Sequence, residues 1–276
     1  MRPILRSLLA LLAPLAIGAQ GVVVSPPTLV IDHRLRTGAL ELFNPSDRAI
    51  EVRVDLLFGY PATDSAGQFG LETPAIPPAG MRAATSWVEA FPSRLTIPAS
   101  GRQTVRFLAR PPATIADGEY FTRVVVTSKF ASPAATATDA VVIQTELSVE
   151  VRAVTTLLYR KGAVAPTVAL ASPSVAQSRD TLGIRVAITP GGTAAFLGTI
   201  QYALEDANGR VVASHAQPVS IYVPVNPLVR LPIAGVAPGE YRLRIRALAE
   251  RADLPTGVVL PVTATELVAP ARIAPR

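Results

Sequence analysis

Near the middle of the 276-residue chain, apolar and polar residues alternate over an unusually long stretch. From Val141 to Tyr159 the odd-numbered positions read Val, Ile, Thr, Leu, Val, Val, Ala, Thr, Leu and Tyr, whereas the even positions from Gln144 to Arg152 are all polar. A two-residue period is typical of a β-strand with one apolar face. Most strands span only about five or six residues, so the pattern predicts a long strand whose apolar face needs a cover.

Composition places this strand in an all-β protein. The chain is 49% hydrophobic and 17% charged, which is too apolar for a disordered protein. Its 26 prolines and 18 glycines are scattered, as expected for many turns between short strands. The length suits two ordinary domains. We therefore predict two immunoglobulin-like β-sandwich domains in tandem.

The first 21 residues have the pattern of a secretory signal. Arg2 and Arg6 precede an apolar run from Leu8 to Ile17, and small residues follow it. A membrane anchor is the alternative, but a span needs about 20 apolar residues, and this run is shorter and contains Pro14. We predict export from the cytoplasm, with no membrane span after cleavage of the signal.

Turn-forming residues divide the rest of the chain. The predicted domains are an N-terminal immunoglobulin-like domain over residues 22–160 and a C-terminal one over 161–262. Residues 263–276 are predicted to form an unstructured or lightly docked tail.

The residues that carry most enzyme chemistry are scarce. Cysteine is absent, and the two histidines, His33 and His215, fall in different predicted domains and outside any zinc-type spacing. No phosphate loop, dinucleotide fingerprint or serine nucleophile elbow is present. The basic residues behind the net charge of +6 are dispersed and the aromatic residues are few, which does not favour nucleic-acid binding. We therefore predict a protein that is not an enzyme and needs no metal or cofactor.

A series of predicted strands and turns follows in order along the first half of the chain. Its segments are "VVVSPPTLVID", "LELFNPSD", "IEVRVDLLF", "FPSRLTIPASGRQTVRFL", "DGEYFTRVVVTSK" and "TTLLYRKGAV". Residues 22–162 thereby resemble the periplasmic chaperones of the chaperone–usher pilus pathway. The resemblance implies a chaperone that stabilises pilin or fimbrial subunits by donor-strand complementation and delivers them to an outer-membrane usher.

The resemblance also assigns residues to the long strand. It implies that Leu147, Val149 and Val151, together with Ile143, are donated to an incomplete subunit. They share one face because neighbouring residues of a strand point in opposite directions. The alternation alone is equally compatible with these side chains facing the domain's own core.

The family's anchor for the subunit's terminal carboxylate is an Arg in the first strand and a Lys near the interdomain cleft. Here Thr28 or Leu29 matches the Arg position, depending on a one-residue gap, and Thr156 matches the Lys position, so neither position is cationic. Four arginines near these positions in sequence are candidate substitutes: Arg34, Arg36, Arg152 and Arg160. The missing pair keeps an alternative open, a non-catalytic structural or adhesive immunoglobulin-like protein of the cell envelope.

Overall fold

A computed structural model describes residues 21–131 and 149–275 of the chain. Every regular element in these ranges is a β-strand. Those up to residue 161 are β1 (Val23–Ser25), β2 (Thr28–Asp32), β3 (Thr37–Phe43), β4 (Ile50–Leu57), β5 (Tyr60–Thr63), β6 (Phe69–Glu72), β7 (Val88–Phe91), β8 (Arg94–Ile97), β9 (Arg102–Ala109), β10 (Gly118–Phe130) and β11 (Val151–Lys161). The later strands are β12 (Pro166–Ser178), β13 (Thr181–Gly192), β14 (Phe196–Glu205), β15 (Val211–Ile221), β16 (Leu228–Pro232), β17 (Gly239–Leu248) and β18 (Thr265–Ile273).

The first eleven strands build a sandwich of two sheets. One sheet has the order β1-β3-β9-β7 and the other β2-β11-β10-β4-β8. In immunoglobulin lettering, strand A is divided between β1 and β2, and strand D between β7 and β8. Strands B, C, E, F and G are β3, β4, β9, β10 and β11. The first sheet is then ABED and the second contains G, F and C, which is the immunoglobulin arrangement. Alternate residues of the facing strands pack between the sheets, among them the fully buried Leu42, Val105 and Leu157.

The second sandwich faces a sheet of order β12-β13-β16 with one of order β15-β14-β17-β18. Its core includes Ile184, Tyr202 and Ile245, all of which are essentially inaccessible to solvent. The predicted fold class, all-β with two immunoglobulin-like sandwiches in tandem, is confirmed. The boundary between the two sandwiches lies between the end of β11 and the start of β12.

The prediction of an unstructured or lightly docked tail over residues 263–276 is wrong. It contains β18, which pairs antiparallel with β17 along its whole length. Ala271 and Ile273 of this strand are buried in the second core. The prediction rested on the segment's position at the end of the chain, but its alternate residues pack into the second core.

The two sandwiches are held together by a buried ion pair and by a hairpin. Glu119 accepts a hydrogen bond from Arg160 Nε at 2.8 Å and another from the backbone N–H of Ala195, in the second sandwich, at 3.1 Å. The hairpin of β5 and β6 reaches the second sandwich through the carbonyl of Gly67, which accepts a bond from Leu228 N at 2.9 Å. Glycine is required here, since its φ is +79° and an added Cβ would lie 2.6 Å from that nitrogen.

Candidate functional site

The strand that ends the first sandwich has two different flanks. On one flank β11 pairs with β10 over its whole length, from Val151 to Lys161. On the other flank β2 pairs with it in parallel, but only from Thr156 to Arg160. Among the described residues no strand pairs with the second flank of Val151–Thr155. We call Val151–Thr155 the open half of β11 and Thr156–Arg160 the closed half.

The prolines of the first strand segment explain where the pairing stops. Because Thr156 is the register partner of Thr28, the residues before Thr156 would have to pair with Pro27 and Pro26. Proline has no N–H to donate to a ladder. The Pro27 carbonyl instead accepts a hydrogen bond from the Thr155 hydroxyl. The chain therefore crosses from one sheet to the other at these prolines and leaves a strand edge unpaired.

The predicted alternation of faces is observed along β11. The odd-numbered side chains point toward the core of the first sandwich, where Leu157 and Tyr159 are fully buried. Cover by the domain decreases toward the start of the strand: Thr155 is 8% exposed, Val151 is half-buried and Val149 is 41% exposed. An apolar face that is buried at one end of the strand is thus uncovered at the other.

Two of the predicted donor residues can be placed. Val151 is the first residue of β11 and Val149 lies two residues before it, and both lie beside Ile50 and Phe130 at the end of the core. Val151 continues the face of Leu157, as the alternation predicted, but it is less buried than Leu157. Ile143 and Leu147 lie outside the described residues.

The predicted anchor positions Thr28 and Thr156 lie side by side. They are register partners in the pairing of β2 with β11, and both line one cavity between the two sandwiches. Leu29, the alternative to Thr28, instead points into the first core and is 7% exposed. Of the two candidates for the Arg position, only Thr28 lines this cavity.

We call this space the interdomain cavity. Its volume is about 200 Å³. Its walls are Pro27, Thr28, Thr156, Leu197, Ser220, Tyr222, Arg251, Asp253 and Leu254. Residues of both sandwiches thus face the two threonines. One of them, Tyr222, is buried, and burial raises the pKa of its hydroxyl above the usual value.

The arginine in the cavity wall is already neutralised. Arg251 donates to both carboxylate oxygens of Asp253, at 2.7 and 2.6 Å. The hydrogen bond from Arg251 lowers the pKa of the Asp253 carboxyl. A third contact, from Arg251 Nη1 to the carbonyl of Val219 at 2.9 Å, fixes the guanidinium further.

A second arginine stands behind the cavity wall without such a partner. Arg123, on β10, is 5% exposed, and its Nε donates to the carbonyl of Gly59 at 2.7 Å. Its Nη1 donates to the Thr156 hydroxyl, and its Cζ lies 5.0 Å from the centre of the Tyr222 ring. Among the described residues, no acceptor lies at hydrogen-bond distance from its Nη2, and an interaction with the Tyr222 hydroxyl contributes to the pKa of that tyrosine. Arg123 is thus a buried cation whose contacts in the described part of the chain are with neutral groups.

The four arginines proposed from the sequence as substitutes do not fill this place. Arg160 is engaged by Glu119 and by the carbonyls of Gly257 and Val258. Arg152 pairs with Glu150 on the surface. Arg34 and Arg36 are exposed in the turn after β2. None of the four lines the interdomain cavity.

Arg123 was missed because the segment "FTRVVV" was interpreted only as a strand. The structure shows that β10 is the central strand of its sheet and is buried on both faces. Central strands are near-continuous apolar runs, so a charged residue inside one was the signal available in the sequence.

The described residues contain neither a metal-binding cluster nor a membrane-spanning helix. Within residues 21–131 and 149–275, no three His, Cys, Asp or Glu side chains are grouped closely enough to hold a metal ion. In the same ranges no helix has the length and apolar character needed to cross a membrane.

No known protein-family model matches the chain. No curated protein matches it in sequence either. Among solved structures, it is similar to the YadV chaperone, with 12% identity and a TM-score of 0.45 over 92% of this chain and 100% of that one. It is also similar to the CsuC–CsuE chaperone–tip adhesion subunit complex of Acinetobacter baumannii, with 12% identity and a TM-score of 0.45 over 90% of this chain and 97% of that one.

A third similar structure is the Salmonella enterica SafA pilin in complex with the SafB chaperone, with 12% identity and a TM-score of 0.41 over 91% of this chain and 97% of that one. These structures include chaperones of the class that the sequence motifs resemble.

Proposed function

We propose that the protein is a periplasmic chaperone that binds secreted pilus or fimbrial subunits by donor-strand complementation and hands them to an outer-membrane usher. The observation that carries the proposal is the open half of β11, a strand edge with no partner strand on one flank within residues 21–131 and 149–275 and with an apolar face that its own domain leaves partly uncovered. The subunit is the proposed partner, and no nucleotide, metal or other cofactor is needed.

The physical basis is the complementarity of two incomplete sheets. A subunit that lacks a strand exposes unpaired backbone groups and a hydrophobic groove, and both promote aggregation. The unpaired N–H and C=O groups of the open half supply hydrogen bonds, and alternate side chains supply apolar contacts. Val149 and Val151 are the described residues with the matching face, and we assign Ile143 and Leu147 to the same role.

The test compares two valines of similar exposure on opposite faces. Val149 is 41% exposed on the proposed donor face, and Val154 is 49% exposed on the other face. Each is changed separately to Asp, and each variant is produced in the periplasm together with a strand-deficient fimbrial subunit. Burying a valine contributes about 1.5–3 kcal/mol, so Val149→Asp should lower subunit recovery about tenfold or more.

Val154→Asp is the matched control and should leave recovery close to that of the unchanged protein. Thermal melts of both purified variants establish that each is folded. Equal recovery with Val149→Asp and with the unchanged protein would contradict strand donation. It would favour the structural or adhesive envelope protein, whose cell-surface exposure can be measured by protease accessibility on intact cells.

A further inference from the structure

We propose that the hairpin of β5 and β6 is a strut that fixes the orientation of the second sandwich relative to the first. It occupies a strand edge of the second sandwich and holds this sandwich at a point far from the linker between the two. Both sandwiches line the interdomain cavity, so the strut also sets the width of that cavity. This role is independent of subunit binding.

The first contact between the sandwiches lies beside the linker, residues 162–165. The backbone N–H of Glu119 donates to the carbonyl of Thr193 at 2.8 Å, and Arg82 Nη1 donates to the same carbonyl at 2.9 Å. The backbone N–H of Thr193 donates in turn to the carbonyl of Ala165, in the linker, at 2.9 Å. Contacts of this group lie at the linker end of the second sandwich, where they act as a pivot.

The second contact is made by the hairpin and reaches a different part of the second sandwich. The carbonyl of Gly67 accepts a hydrogen bond from Leu228 N at 2.9 Å. The hydroxyl of Thr63 accepts another from Asn226 N, also at 2.9 Å. Two consecutive turns of the second sandwich's backbone are thus not needed to hold the hairpin, because residues on both sides of one loop donate to it.

Side chains add to these backbone contacts. Phe69 of β6 packs against the core of the second sandwich. Arg185, on β13, donates through Nη2 to the carbonyl of Ser65 at 3.2 Å. A residue of the first sandwich therefore contributes to the packing of the second, as expected of a docked element.

The distance between the two contacts gives the hairpin leverage. Both contacts lie along β13, which carries Arg185 near its middle and ends at Gly192, beside Thr193. Arg185 and Gly192 are about 23 Å apart along an extended strand. A small rotation about the linker therefore moves the hairpin contact by several ångströms, which is more than the hydrogen bond between Leu228 and Gly67 tolerates. Two contacts at this separation hold the orientation, whereas the pivot alone does not.

The hairpin docks on a strand edge that the second sandwich leaves incomplete. The sheet of order β12-β13-β16 has three described strands, whereas the sheet of order β1-β3-β9-β7 has four. Leu228, the first residue of β16, pairs with Arg185 on one flank and directs its N–H to Gly67 on the other. Exposed strand edges promote pairing with other chains. The hairpin thus covers part of the edge at which a fourth strand would lie.

The test compares the same substitution at two glycines of the hairpin. At Gly67 an added Cβ would lie 2.6 Å from Leu228 N, whereas at Gly70 it would meet nothing within 4 Å. Gly67→Asn should therefore undock the hairpin, and Gly70→Asn is the matched control. Asparagine is chosen because it tolerates the left-handed backbone conformation of Gly67 better than most side chains.

Amide hydrogen exchange, followed by NMR, reports docking at the N–H of Leu228. We expect this amide to exchange at least about tenfold faster in Gly67→Asn than in the unchanged protein, because it loses the hydrogen bond that protects it. Gly70→Asn should match the unchanged protein. Equal exchange in all three proteins, or an unprotected Leu228 amide in the unchanged protein, would overturn the docking on which the strut depends.

Distances between two spin labels, measured by double electron–electron resonance, report the orientation. The chain has no cysteine, so Thr104→Cys on β9 and Ser214→Cys on β15 provide one exposed label in each sandwich. The unchanged hairpin and Gly70→Asn should give a narrow distance distribution, and Gly67→Asn a broader one. A narrow, unshifted distribution in Gly67→Asn, with the Leu228 amide exchanging rapidly, would overturn the strut.

Phe69→Ser is a second variant that leaves the turn of the hairpin unchanged. It removes the apolar contact with the second core and should also broaden the distribution. If circular dichroism shows that Gly67→Asn does not fold, Phe69→Ser decides the question, and a narrow, unshifted distribution in it would overturn the strut. None of these measurements involves a subunit, so their outcome is separate from that of the proposed function.

Discussion

The open and closed halves of β11 share one strand and one pattern of alternation, yet their surroundings differ. The closed half has β10 on one flank and β2 on the other, and Leu157, Leu158 and Tyr159 within it have no solvent exposure. The open half keeps β10 but has no described strand on its second flank, and Val154 is 49% exposed. One end of the strand thus lies inside its own sheet, and the other end forms a sheet edge in the described part of the chain.

The difference comes from a neighbour and not from β11 itself. Pro26 and Pro27 end the pairing opposite Thr155, so the position of two prolines in the first strand segment decides which part of β11 stays free. Two-residue periodicity therefore identifies a donor-like strand but does not locate its free part. The comparison between the halves can be tested through the residues that fix each of them.

The largest expected effect is a loss of stability when the ion pair of the closed half is broken, and the ion pair of the open half provides the comparison. Glu119 holds Arg160 of the closed half, and their side chains are 1% and 11% exposed. Glu119→Ala should lower the free energy of unfolding by about 3–5 kcal/mol, because it leaves a buried arginine without its counter-ion. Urea denaturation followed by circular dichroism measures the change.

The matched control lies in the open half of the same strand. Arg152 pairs there with Glu150, with side chains 64% and 48% exposed. Solvated pairs contribute about 0–1 kcal/mol, so Glu150→Ala should leave the denaturation midpoint almost unchanged. Similar losses from the two alanine variants would mean that the halves do not differ in how they are held.

A smaller effect is expected from apolar truncation in the two halves. Leu157→Ala removes a fully buried side chain from the first core and should cost about 2–4 kcal/mol. Val154→Ala, at an exposed position of the open half, should change stability by less than about 0.5 kcal/mol. The fluorescence of Trp87, whose ring lies 4.8 Å from that of Tyr159, reports unfolding of this sandwich. A large loss from Val154→Ala would show that the open half is covered in solution.

Much of the fold could be predicted from the sequence, because alternation and turn residues act locally. The faces of β11 follow from the two-residue period. Pro26 and Pro27 separate β1 from β2, as expected of residues that have no N–H to donate to a ladder. Strand β18 was missed, since its alternation is carried by small residues and prolines whose burial depends on β17 beside it.

The candidate site was only partly predictable, for a related reason. The order of the motifs matched Thr28 and Thr156 to the two anchor positions of the resembled family. The parallel pairing of β2 with β11 makes the two threonines register partners. Which arginine stands behind them depends on three strands lying side by side, and Arg123 is 33 residues away from Thr156 in sequence. Proximity in sequence favoured Arg152 and Arg160 instead, but the sheet places one on the surface and gives the other to Glu119.

The smallest expected effect concerns Asp253, which lines the interdomain cavity together with Thr156, where the two halves of β11 meet. Asp253 neutralises Arg251 in the wall of the interdomain cavity, and its pKa is lowered in the folded protein by hydrogen bonding to that arginine. A carboxyl with a lowered folded-state pKa stabilises the fold above its unfolded pKa, near 3.9, and this contribution disappears as the pH falls through the folded-state value. Because Asp253 is 57% exposed, solvent screening limits the contribution to less than about 1 kcal/mol.

Asp253→Asn should therefore lower the free energy of unfolding slightly at pH 7 and make no difference near about pH 2, where both proteins carry a neutral group at this position. Urea denaturation at the two pH values gives the comparison. A difference that persists at the lower pH would mean that Asp253 acts by packing and not by charge. In that case the ion pair between Asp253 and Arg251 would not be what stabilises this wall of the interdomain cavity.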